Sequence, residues 1–367
     1  MRILVTGGAG FIGSCFVRNV LANDKTKDVK GDAGDTLAVS RLVNLDKLTY
    51  AGNLDNLQMV DGDARYGFYH GDIAEQTLVA DILQKENIDA VVHFAAESHV
   101  DRSIIAPDDF ITTNVVGTGR LLETCCDYWQ TLSADQKKDF RFLHISTDEV
   151  FGSLAIDDKA FDETSLYRPN SPYAASKAGA DHLVRSYHRT YQFPAMIANC
   201  SNNYGPYQFP EKFIPMMIIE GLKGKPMPIY GKGDNIRDWL FVTDHIRALM
   251  MILLNGQAGE YYGIGGMAEK NNLAVAKTIA TLLDRWQPKK TSYAAQITFV
   301  ADRPGHDFRY GMNIAKIKKQ LGFAPKVDFL QGLEKTILWY LENQSWVKRI
   351  TSGDYQDWLK KNYAMRS

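Results

Sequence analysis

The sequence predicts an α/β fold, a doubly wound parallel sheet with a smaller C-terminal substrate-binding region beside it. The chain opens on a short apolar strand that runs into glycines, and strands then alternate with helices as far as residue 201. From residue 202 the alternation gives way to segments rich in proline, glycine and aromatic residues. Such alternation is typical of parallel sheets covered by helices, and 367 residues suit one large unit or two.

The first strand, at residues 3–5, is followed by Gly8, Gly10 and Gly13 in the spacing G-x-G-x-x-G. In a Rossmann-type fold these glycines allow a sharp turn, admit a pyrophosphate to the backbone and let the next helix pack closely. That helix, predicted at residues 14–21, directs its N-terminal amides at the phosphates. The motif alone also fits an ordinary glycine-rich turn, but its place after an apolar strand favours a dinucleotide site.

The second strand, at residues 41–46, ends in Asp46. An acid at this point accepts hydrogen bonds from the adenosine ribose hydroxyls and disfavours a 2'-phosphate, which predicts NAD rather than NADP. The usual gap between glycines and acid is about 20 residues. The gap is longer here, and the polar segment at 23–40, which we expect to form a surface loop, accounts for the excess. An ordinary strand-end acid is the alternative interpretation.

The remaining strands are predicted at residues 67–70, 90–96, 142–146 and 195–199, and the helices at 77–84, 110–129 and 173–191. We expect residues 1–201 to form the NAD-binding domain with the catalytic residues. Residues 202–367 then form the mainly substrate-binding region, with some elements returning to the sheet. The two long helices carry apolar residues on more than one face, with Leu121, Leu122, Cys125 and Trp129 on the first. A dimer surface or burial within the monomer would explain them.

Composition excludes several classes of partner. With 45% hydrophobic residues, 23% charged residues and a net charge of −1, nothing favours nucleic acid or an anionic membrane. No apolar segment approaches the roughly 20 residues of a membrane span, and the opening strand does not resemble an export signal. The four cysteines form no C-x-x-C and the eight histidines show no metal-site spacing. We therefore expect no disulfide, no metal and a cytoplasmic location.

Candidate catalytic residues follow the fifth strand and open the next helix. Ligands of such sheets bind beyond the carboxyl ends of the strands, where Thr147, Asp148 and Glu149 stand. Tyr173 and Lys177 are one helical turn apart. A phenol of pKa about 10 is a poor base at neutral pH, and a neighbouring ammonium favours its ionised form. An exposed helix pair and a surface loop cap are the alternative interpretations of these residues.

Taken together, these segments resemble the extended short-chain dehydrogenase/reductases that act on nucleotide sugars, along nearly the whole chain. The resemblance rests on residues 6–13 (TGGAGFIG), 95–103 (AAESHVDRS), 147–149 (TDE), 173–177 (YAASK), 201–206 (SNNYGP), 237–239 (RDW) and 302–306 (DRPGH). It is closest to the branch that dehydrates dTDP-glucose. The glycines alone would indicate only the superfamily.

The resemblance implies oxidation of the sugar at carbon 4, loss of water across carbons 5 and 6, and return of the hydride to carbon 6. It assigns Asp148 as the acid for the departing hydroxyl, Glu149 as the base at carbon 5, and Thr147 as a hydrogen-bond partner of the carbon 4 oxygen. Tyr173 is the base at the carbon 4 hydroxyl, and Lys177 holds the nicotinamide ribose. Relatives also form homodimers through a four-helix bundle.

The resemblance further implies two sets of contacts. The cofactor-binding residues are Gly7, Gly10, Phe11, Ile12, Gly13, Asp46, Lys47, Leu48, Thr49, Asp72, Ile73, Ala95, Ala96, Ser98, Thr113, Tyr173, Lys177 and Asn203. The substrate-binding residues are Ser98, Thr147, Asn202, Lys212, Phe213, Pro228, Ile229, Tyr230, Arg237, Asn272, Asp302, Arg303, Pro304, Gly305 and His306. Planar arginines suit the diphosphate of such a substrate.

Three other functions stay open at this point. A nucleotide-sugar 4-epimerase or decarboxylase shares the glycines, Tyr173 and Lys177, but epimerases commonly carry small hydroxyl residues in place of Asp148 and Glu149. A 4,6-dehydratase could use a different nucleotide. A non-catalytic dinucleotide-binding sensor would be expected to lose Tyr173, Lys177 or the acid pair, and all four residues are present.

Overall fold

The computed structural model describes residues 1–22 and 38–351. Its strands are β1 (Arg2–Thr6), β2 (Arg41–Asp46), β3 (Tyr66–His70), β4 (Ala90–His93), β5 (Arg141–Thr147), β6 (Ala195–Cys200), β7 (Asn202–Tyr204), β8 (Met227–Tyr230), β9 (Ile236–Phe241), β10 (Tyr261–Ile264), β11 (Glu269–Asn271) and β12 (Ile297–Val300). Most of the surface loop predicted at 23–40 lies outside the described residues.

The helices are α1 (Phe11–Ala22), α2 (Gln76–Lys85), α3 (Val100–Ile105), α4 (Pro107–Phe110), α5 (Thr118–Thr131), α6 (Ala134–Asp139), α7 (Pro172–Tyr191), α8 (Phe213–Leu222), α9 (Val242–Asn255), α10 (Asn272–Trp286), α11 (Ala315–Leu321), α12 (Phe329–Glu342) and α13 (Gln344–Ile350). Short 3-10 turns cover Leu54–Val60, Asp148–Phe151 and Tyr293–Gln296, and a π-helical segment covers Ile111–Gly117. Within the described ranges, no helix has the length and apolar content that crossing a membrane requires.

Seven parallel strands form the central sheet in the order β10-β6-β5-β4-β1-β2-β3, which confirms the predicted doubly wound sheet. Alternate side chains of β1 enter different cores: Ile3 and Val5 pack with Phe16 of α1, whereas Leu4 packs with Leu121 of α5 on the opposite face. The strand order reverses between β1 and β4, and such a reversal opens a crevice at the carboxyl edge of the sheet. The site described below lies there.

Two predicted elements differ from the structure. The strand predicted at 90–96 ends at His93, because its pairing with the neighbouring strand β1 ends where β1 itself ends, at Thr6. The helix predicted at 110–129 is interrupted by the π-helical segment Ile111–Gly117. Within that segment Asn114 binds both backbone groups of Glu97 and the Ser176 hydroxyl, each at 2.9 Å. These contacts fasten the segment to the loop after β4.

Later elements of the chain build a second layer. One small sheet has the order β11-β9-β7, and β8 pairs with β12 in another. Helices α8, α10, α12 and α13 enclose an apolar core around Tyr204, Trp239 and Tyr340. Strand β10 pairs with β6 at the edge of the central sheet. The division at residues 201 and 202 stays a prediction.

A chain of hydrogen bonds links α13 to the glycine turn. Trp346 Nε1 donates to Asn56 Oδ1 at 2.9 Å, and Asn56 Nδ2 donates to the Ala9 carbonyl at 2.9 Å. Arg349 adds an ion pair with Asp55 at 2.5 Å. The second layer thereby supports the segment that follows β2.

Candidate active site

A cleft of about 350 Å³ lies at the carboxyl edge of the central sheet. It is bordered by the glycine turn after β1, the ends of β2, β4, β5 and β6, and the first turn of α7. The structure therefore brings together segments from positions 7 to 239 of the chain. This is the location at which doubly wound sheets bind ligands.

The glycine turn has no room for side chains at its critical points. Gly7 has a φ of +72°, and a Cβ there would lie 2.6 Å from the Ala95 amide nitrogen. A Cβ on Gly13 would lie 2.2 Å from the Gly7 carbonyl oxygen. Gly10 differs, because a Cβ there would approach only that same oxygen, at 3.4 Å. The turn thus forms a bare backbone cradle at the start of α1, which fits a pyrophosphate.

Asp46 lies at the end of β2 and lines the cleft. Its Oδ2 accepts a hydrogen bond from the Ala9 amide and its Oδ1 one from the Leu48 amide, both at 2.8 Å. Burial raises the pKa of Asp46, while these amides oppose the rise. The carboxylate is fixed at the cleft wall and fits the adenosine ribose hydroxyls. Lys47 and Asp72 form an ion pair of 2.7 Å at the same end.

All but one of the predicted cofactor contacts border this cleft. They are Gly7, Gly10, Phe11, Ile12, Gly13, Asp46, Lys47, Thr49, Asp72, Ile73, Ala95, Ala96, Ser98, Thr113, Tyr173, Lys177 and Asn203. Leu48 lies outside the lining, and its amide is bound to Asp46. This set of donors, acceptors and bare backbone fits NAD.

The acid pair occupies the turn at the end of β5. Thr147 caps this turn, because its Oγ1 accepts from the Glu149 amide at 3.2 Å and its hydroxyl donates to Asp148 Oδ1 at 3.3 Å. Asp148 is 1% exposed. Its Oδ2 has no hydrogen-bond partner among the described residues. Both carboxyls face the cleft, and the cap of the loop is the threonine.

The surroundings of the two carboxyls differ in charge. Burial and the negative charges of Glu149 and Asp238 raise the pKa of Asp148 well above its usual value. Burial also raises the pKa of Glu149, but Arg303, Arg237 and Lys212 oppose that rise. Two neighbouring carboxyls in unlike environments can hold different protonation states. The arrangement can supply one acid and one base.

Tyr173 and Lys177 lie on one face of α7, which begins with Pro172 after the Ser171 cap. Burial and the charge of Glu149 raise the pKa of Tyr173 well above its usual value, while hydrogen bonding with Thr147 opposes the rise. Lys177 Nζ donates to the Ile145 carbonyl at 2.8 Å, and burial lowers its pKa to about 8. The Lys177 ammonium was expected to lower the pKa of the Tyr173 phenol. With the protein groups alone, the pKa of Tyr173 is raised instead.

A second chamber of about 160 Å³ adjoins the cleft. Arg303, Arg237 and Lys212 bring three buried or nearly buried cations to its wall. Arg303 is held by Asp101 at 3.4 Å, and Arg237 lies 4.2 Å over the Tyr310 ring. Lys212 Nζ donates to the Ser98 carbonyl at 2.6 Å. The two guanidinium groups fit a diphosphate.

The two cavities share Glu149 of the acid pair, while Asp148 lines the cleft, and together the cavities account for most predicted substrate contacts. Ser98 and Thr147 line the cleft; Pro228, Tyr230, Arg237, Asn272, Arg303 and His306 line the chamber; Asn202, Lys212, Phe213 and Glu149 line both. Ile229, Asp302, Pro304 and Gly305 lie outside both linings. Ile229 belongs to the apolar core, and Asp302 instead accepts from His306 Nδ1 at 2.6 Å.

Two residues at the junction were not selected from the sequence as contacts. Glu211 and Trp239 line both cavities. Glu211 accepts from the Tyr50 hydroxyl at 3.0 Å and from Arg102 Nε at 3.1 Å. Glu211 directly precedes Lys212, a predicted substrate contact, and Trp239 belongs to the segment 237–239. These positions were the signal in the sequence that could have identified the two residues. Among residues 1–22 and 38–351, no group of His, Cys, Asp and Glu is arranged to hold a metal ion.

Comparison with known proteins agrees with this geometry. Residues 4–336 match the family model described as GDP-mannose 4,6 dehydratase. The dTDP-glucose 4,6-dehydratase of Salmonella typhimurium strain LT2 is 53% identical, and dTDP-glucose 4,6-dehydratase 1 of Escherichia coli K12 is 52% identical. Both alignments cover 100% of each chain.

Solved structures show the same relationship. DesIV, a dTDP-glucose 4,6-dehydratase from Streptomyces venezuelae with NAD and TYD bound, has a TM-score of 0.85 and 45% identity, covering 94% of this chain and 98% of its own. A UDP-glucuronic acid 4-epimerase from Bacillus cereus, in complex with UDP-glucuronic acid and NAD, has a TM-score of 0.77 and 28% identity, covering 93% and 99%. The chain therefore belongs to the GDP-mannose 4,6 dehydratase family and, within it, to the dTDP-glucose 4,6-dehydratases.

Proposed function

We propose that the protein converts dTDP-glucose to dTDP-4-keto-6-deoxyglucose, a hydro-lyase reaction, with NAD held along the cleft. The observation that carries this proposal is the acid pair at the junction of the two cavities. Asp148 is buried beside negative charges, and Glu149 faces cations. A cofactor cleft on one side and a cationic chamber on the other would hold a nucleotide sugar with its hexose at this junction.

Oxidation at carbon 4 requires removal of the hydroxyl proton. Tyr173 accepts this proton, Thr147 hydrogen-bonds the carbon 4 oxygen, and Lys177 binds the nicotinamide ribose. The residues that line the cleft, Lys177 among them, would hold NAD, which would supply a hydride acceptor for carbon 4 and a hydride donor for carbon 6, with a proton returning to carbon 5. The positive charge of the oxidised ring would favour the ionised phenol. Burial alone would hold Tyr173 in its neutral form.

Elimination requires a base for the carbon 5 proton and an acid for the carbon 6 hydroxyl. The carbon 4 ketone makes the carbon 5 proton acidic because it stabilises the enolate. Glu149 takes that proton, since nearby cations favour its ionised form. Asp148 protonates the departing hydroxyl, since burial and the neighbouring negative charges raise its pKa and favour the protonated carboxyl. Each such group is worth about 100 to 10,000-fold in rate.

The chamber binds the nucleotide diphosphate through Arg237, Arg303 and Lys212. Asp101 pairs with Arg303 at 3.4 Å. Asn202, Phe213, Pro228, Tyr230, Asn272 and His306 complete the substrate contacts that we propose. Ser98, which lines the cleft, would contact both the sugar and the cofactor.

A nucleotide-sugar 4-epimerase is the second candidate, because the Bacillus cereus epimerase shares the fold. The acid pair favours the dehydratase, since epimerisation needs no acid at a leaving hydroxyl. Incubation with dTDP-glucose should yield a 4-ketosugar that absorbs in alkali, and UDP-glucose should yield much less. An epimerised sugar without a keto product would overturn the proposal.

We also propose a homodimer, a cytoplasmic location and the domain division at residues 201 and 202. Ile111, Val116 and Tyr191 support the dimer, because these exposed apolar side chains lie on and beside α5 and α7. Burial within the monomer explains the apolar residues Leu121, Leu122 and Cys125, which lie in its core with Trp129 packed beside them. The four cysteines are free and buried, which suits a reducing compartment.

A further inference from the structure

A buried polar cluster lies directly beneath Lys177. Asp181 follows Lys177 by one turn of α7 and is 0% exposed. Its Oδ2 accepts hydrogen bonds from Ser146 Oγ at 2.8 Å, Tyr167 OH at 2.7 Å and Asn199 Nδ2 at 3.2 Å. The proposed reaction assigns no role to this carboxylate. A buried charge destabilises the fold unless it is paired. The Asp181 carboxylate is therefore expected to have a partner of opposite charge.

His144 of β5 lies between Asp181 and Lys177. Its Nε2 is 3.2 Å from Asp181 Oδ1 and 3.4 Å from Lys177 Nζ. A lysine and an acid four residues apart on a helix usually pair directly. Here the His144 imidazole lies between them, and the Lys177 ammonium binds the Ile145 carbonyl at the cleft wall.

The protonation states of the cluster follow from burial and charge. Burial and the ammonium of Lys177 lower the pKa of His144 to about 4, so the ring is neutral at pH 7. Burial favours a protonated Asp181, but hydrogen bonding with His144 and with the Tyr167 hydroxyl and the charge of Lys177 outweigh it and lower the carboxyl pKa. Burial lowers the pKa of Lys177 to about 8, and Asp181 and the Cys200 thiol oppose this.

The other groups that face this cluster are neutral. His93 of β4 lies 5.1 Å from the His144 ring, and burial lowers its pKa well below the usual value. Burial raises the pKa of Cys200 of β6 to about 12, and that of Tyr173 is also raised. Asp181 is thus the single anion that these facing groups offer to the Lys177 ammonium.

We propose that Asp181 and His144 are positioning residues for Lys177: the carboxylate keeps the ammonium charged, and the imidazole keeps the two apart so that the ammonium stays at the cleft. The proposal deepens the proposed function and rests on it for the role of Lys177. The ammonium charge itself can be measured without any turnover. The competing interpretation is that Asp181 only fastens α7 to β5 and β6.

The test is competitive acetylation of the protein with acetic anhydride across a pH series, read for Lys177 by peptide mass spectrometry. Asp181→Asn keeps the shape and most hydrogen bonds but removes the charge, so the labelling midpoint should fall by about 1 to 3 pH units. His144→Leu removes the spacer, so Lys177 should pair directly with Asp181 and the midpoint should rise. Tyr167→Phe removes one hydrogen bond to Asp181 and should leave the midpoint near the wild-type value.

Opposite shifts in the two variants would not arise from a structural role alone. An unchanged midpoint in folded Asp181→Asn, or a lower one in His144→Leu, overturns the proposal. If Asp181→Asn does not fold, the His144→Leu result decides. The alkaline limb of the kcat profile on dTDP-glucose should move with each midpoint. If the variants show the labelling shifts but the wild type makes no ketosugar, the proposed function is refuted and this inference stands.

Discussion

Asp148 and Glu149 are adjacent in the chain, yet they meet different electrostatic surroundings. Glu149, Asp238 and Arg237 act on the first carboxyl, whereas Arg303, Arg237 and Lys212 act on the second. Unlike surroundings allow two side chains of the same chemistry to hold different protonation states. At the residue scale, the proposed mechanism uses this difference to supply one acid and one base for elimination.

Replacement of the proposed base should separate oxidation from elimination. In Glu149→Gln the amide cannot take the carbon 5 proton, so water loss should fall by about 100 to 10,000-fold. Hydride transfer should persist, because Tyr173 and Lys177 are unchanged. Stopped-flow absorbance at 340 nm on adding dTDP-glucose should show reduced cofactor that accumulates and decays slowly.

The exposed Glu342 at the end of α12 provides the matched control. Glu342→Gln should turn over like the wild type. Full dehydratase activity in Glu149→Gln would refute the base assignment, and loss of the absorbance rise would show that the carboxylate is needed for oxidation as well.

At the scale of an element, the contact between β1 and α1 depends on the lack of a side chain at Gly13. In Gly13→Ala the new methyl would lie 2.2 Å from a backbone oxygen, which cannot yield as a side chain can. The helix must move away from the strand, so both the melting temperature and the affinity for NAD should fall. Differential scanning fluorimetry and calorimetric titration with NAD would measure the two effects.

Gly119 of α5 is the control for this substitution, because a Cβ there has an ordinary contact of 3.6 Å with Leu183. Gly119→Ala should be neutral or gain up to about 1 kcal/mol from helix propensity. An unchanged NAD affinity in Gly13→Ala would show that the close packing of α1 is not what forms the phosphate cradle.

Elements with strong local signals were predictable from sequence. The segment 41–46 was placed within its observed bounds, and the strand at 195–199 missed only Cys200. The π-helical segment was not predictable, because Asn114 bonds to Glu97 and Ser176, and only the fold brings these together. The predicted strand β4 is longer than the observed one, because the end of β4 is set by a neighbouring strand.

The same contrast holds for the site. Asp46 could be found from its place at the end of a strand, and Tyr173 and Lys177 from their spacing on a helix. Arg303 and Lys212 needed the resemblance, because the chamber joins residues far apart in the chain. Glu211 was passed over, since nothing local shows that Tyr50 and Arg102 converge on it.

At the scale of the whole molecule, the proposed dimer makes a direct prediction. The wild type should have a solution mass of twice 41.3 kDa by light scattering. Val116 is 44% exposed, and Val116→Asp would place a charge in the proposed interface and should shift the mass toward the monomer. Met267, 72% exposed in the second layer, is the control: Met267→Asp should remain dimeric. A monomeric wild type would contradict the proposal.

The bond between Trp346 and Asn56 joins positions 290 apart, and Asn56 in turn holds Ala9 beside Asp46. Closing so large a loop is entropically costly, and contacts of such separation form slowly. A ribosome would have released nearly all of the described chain before the hydrogen bond between Trp346 and Asn56 could form. The newly made polypeptide should therefore become able to bind the dinucleotide late, after the sheet has already assembled.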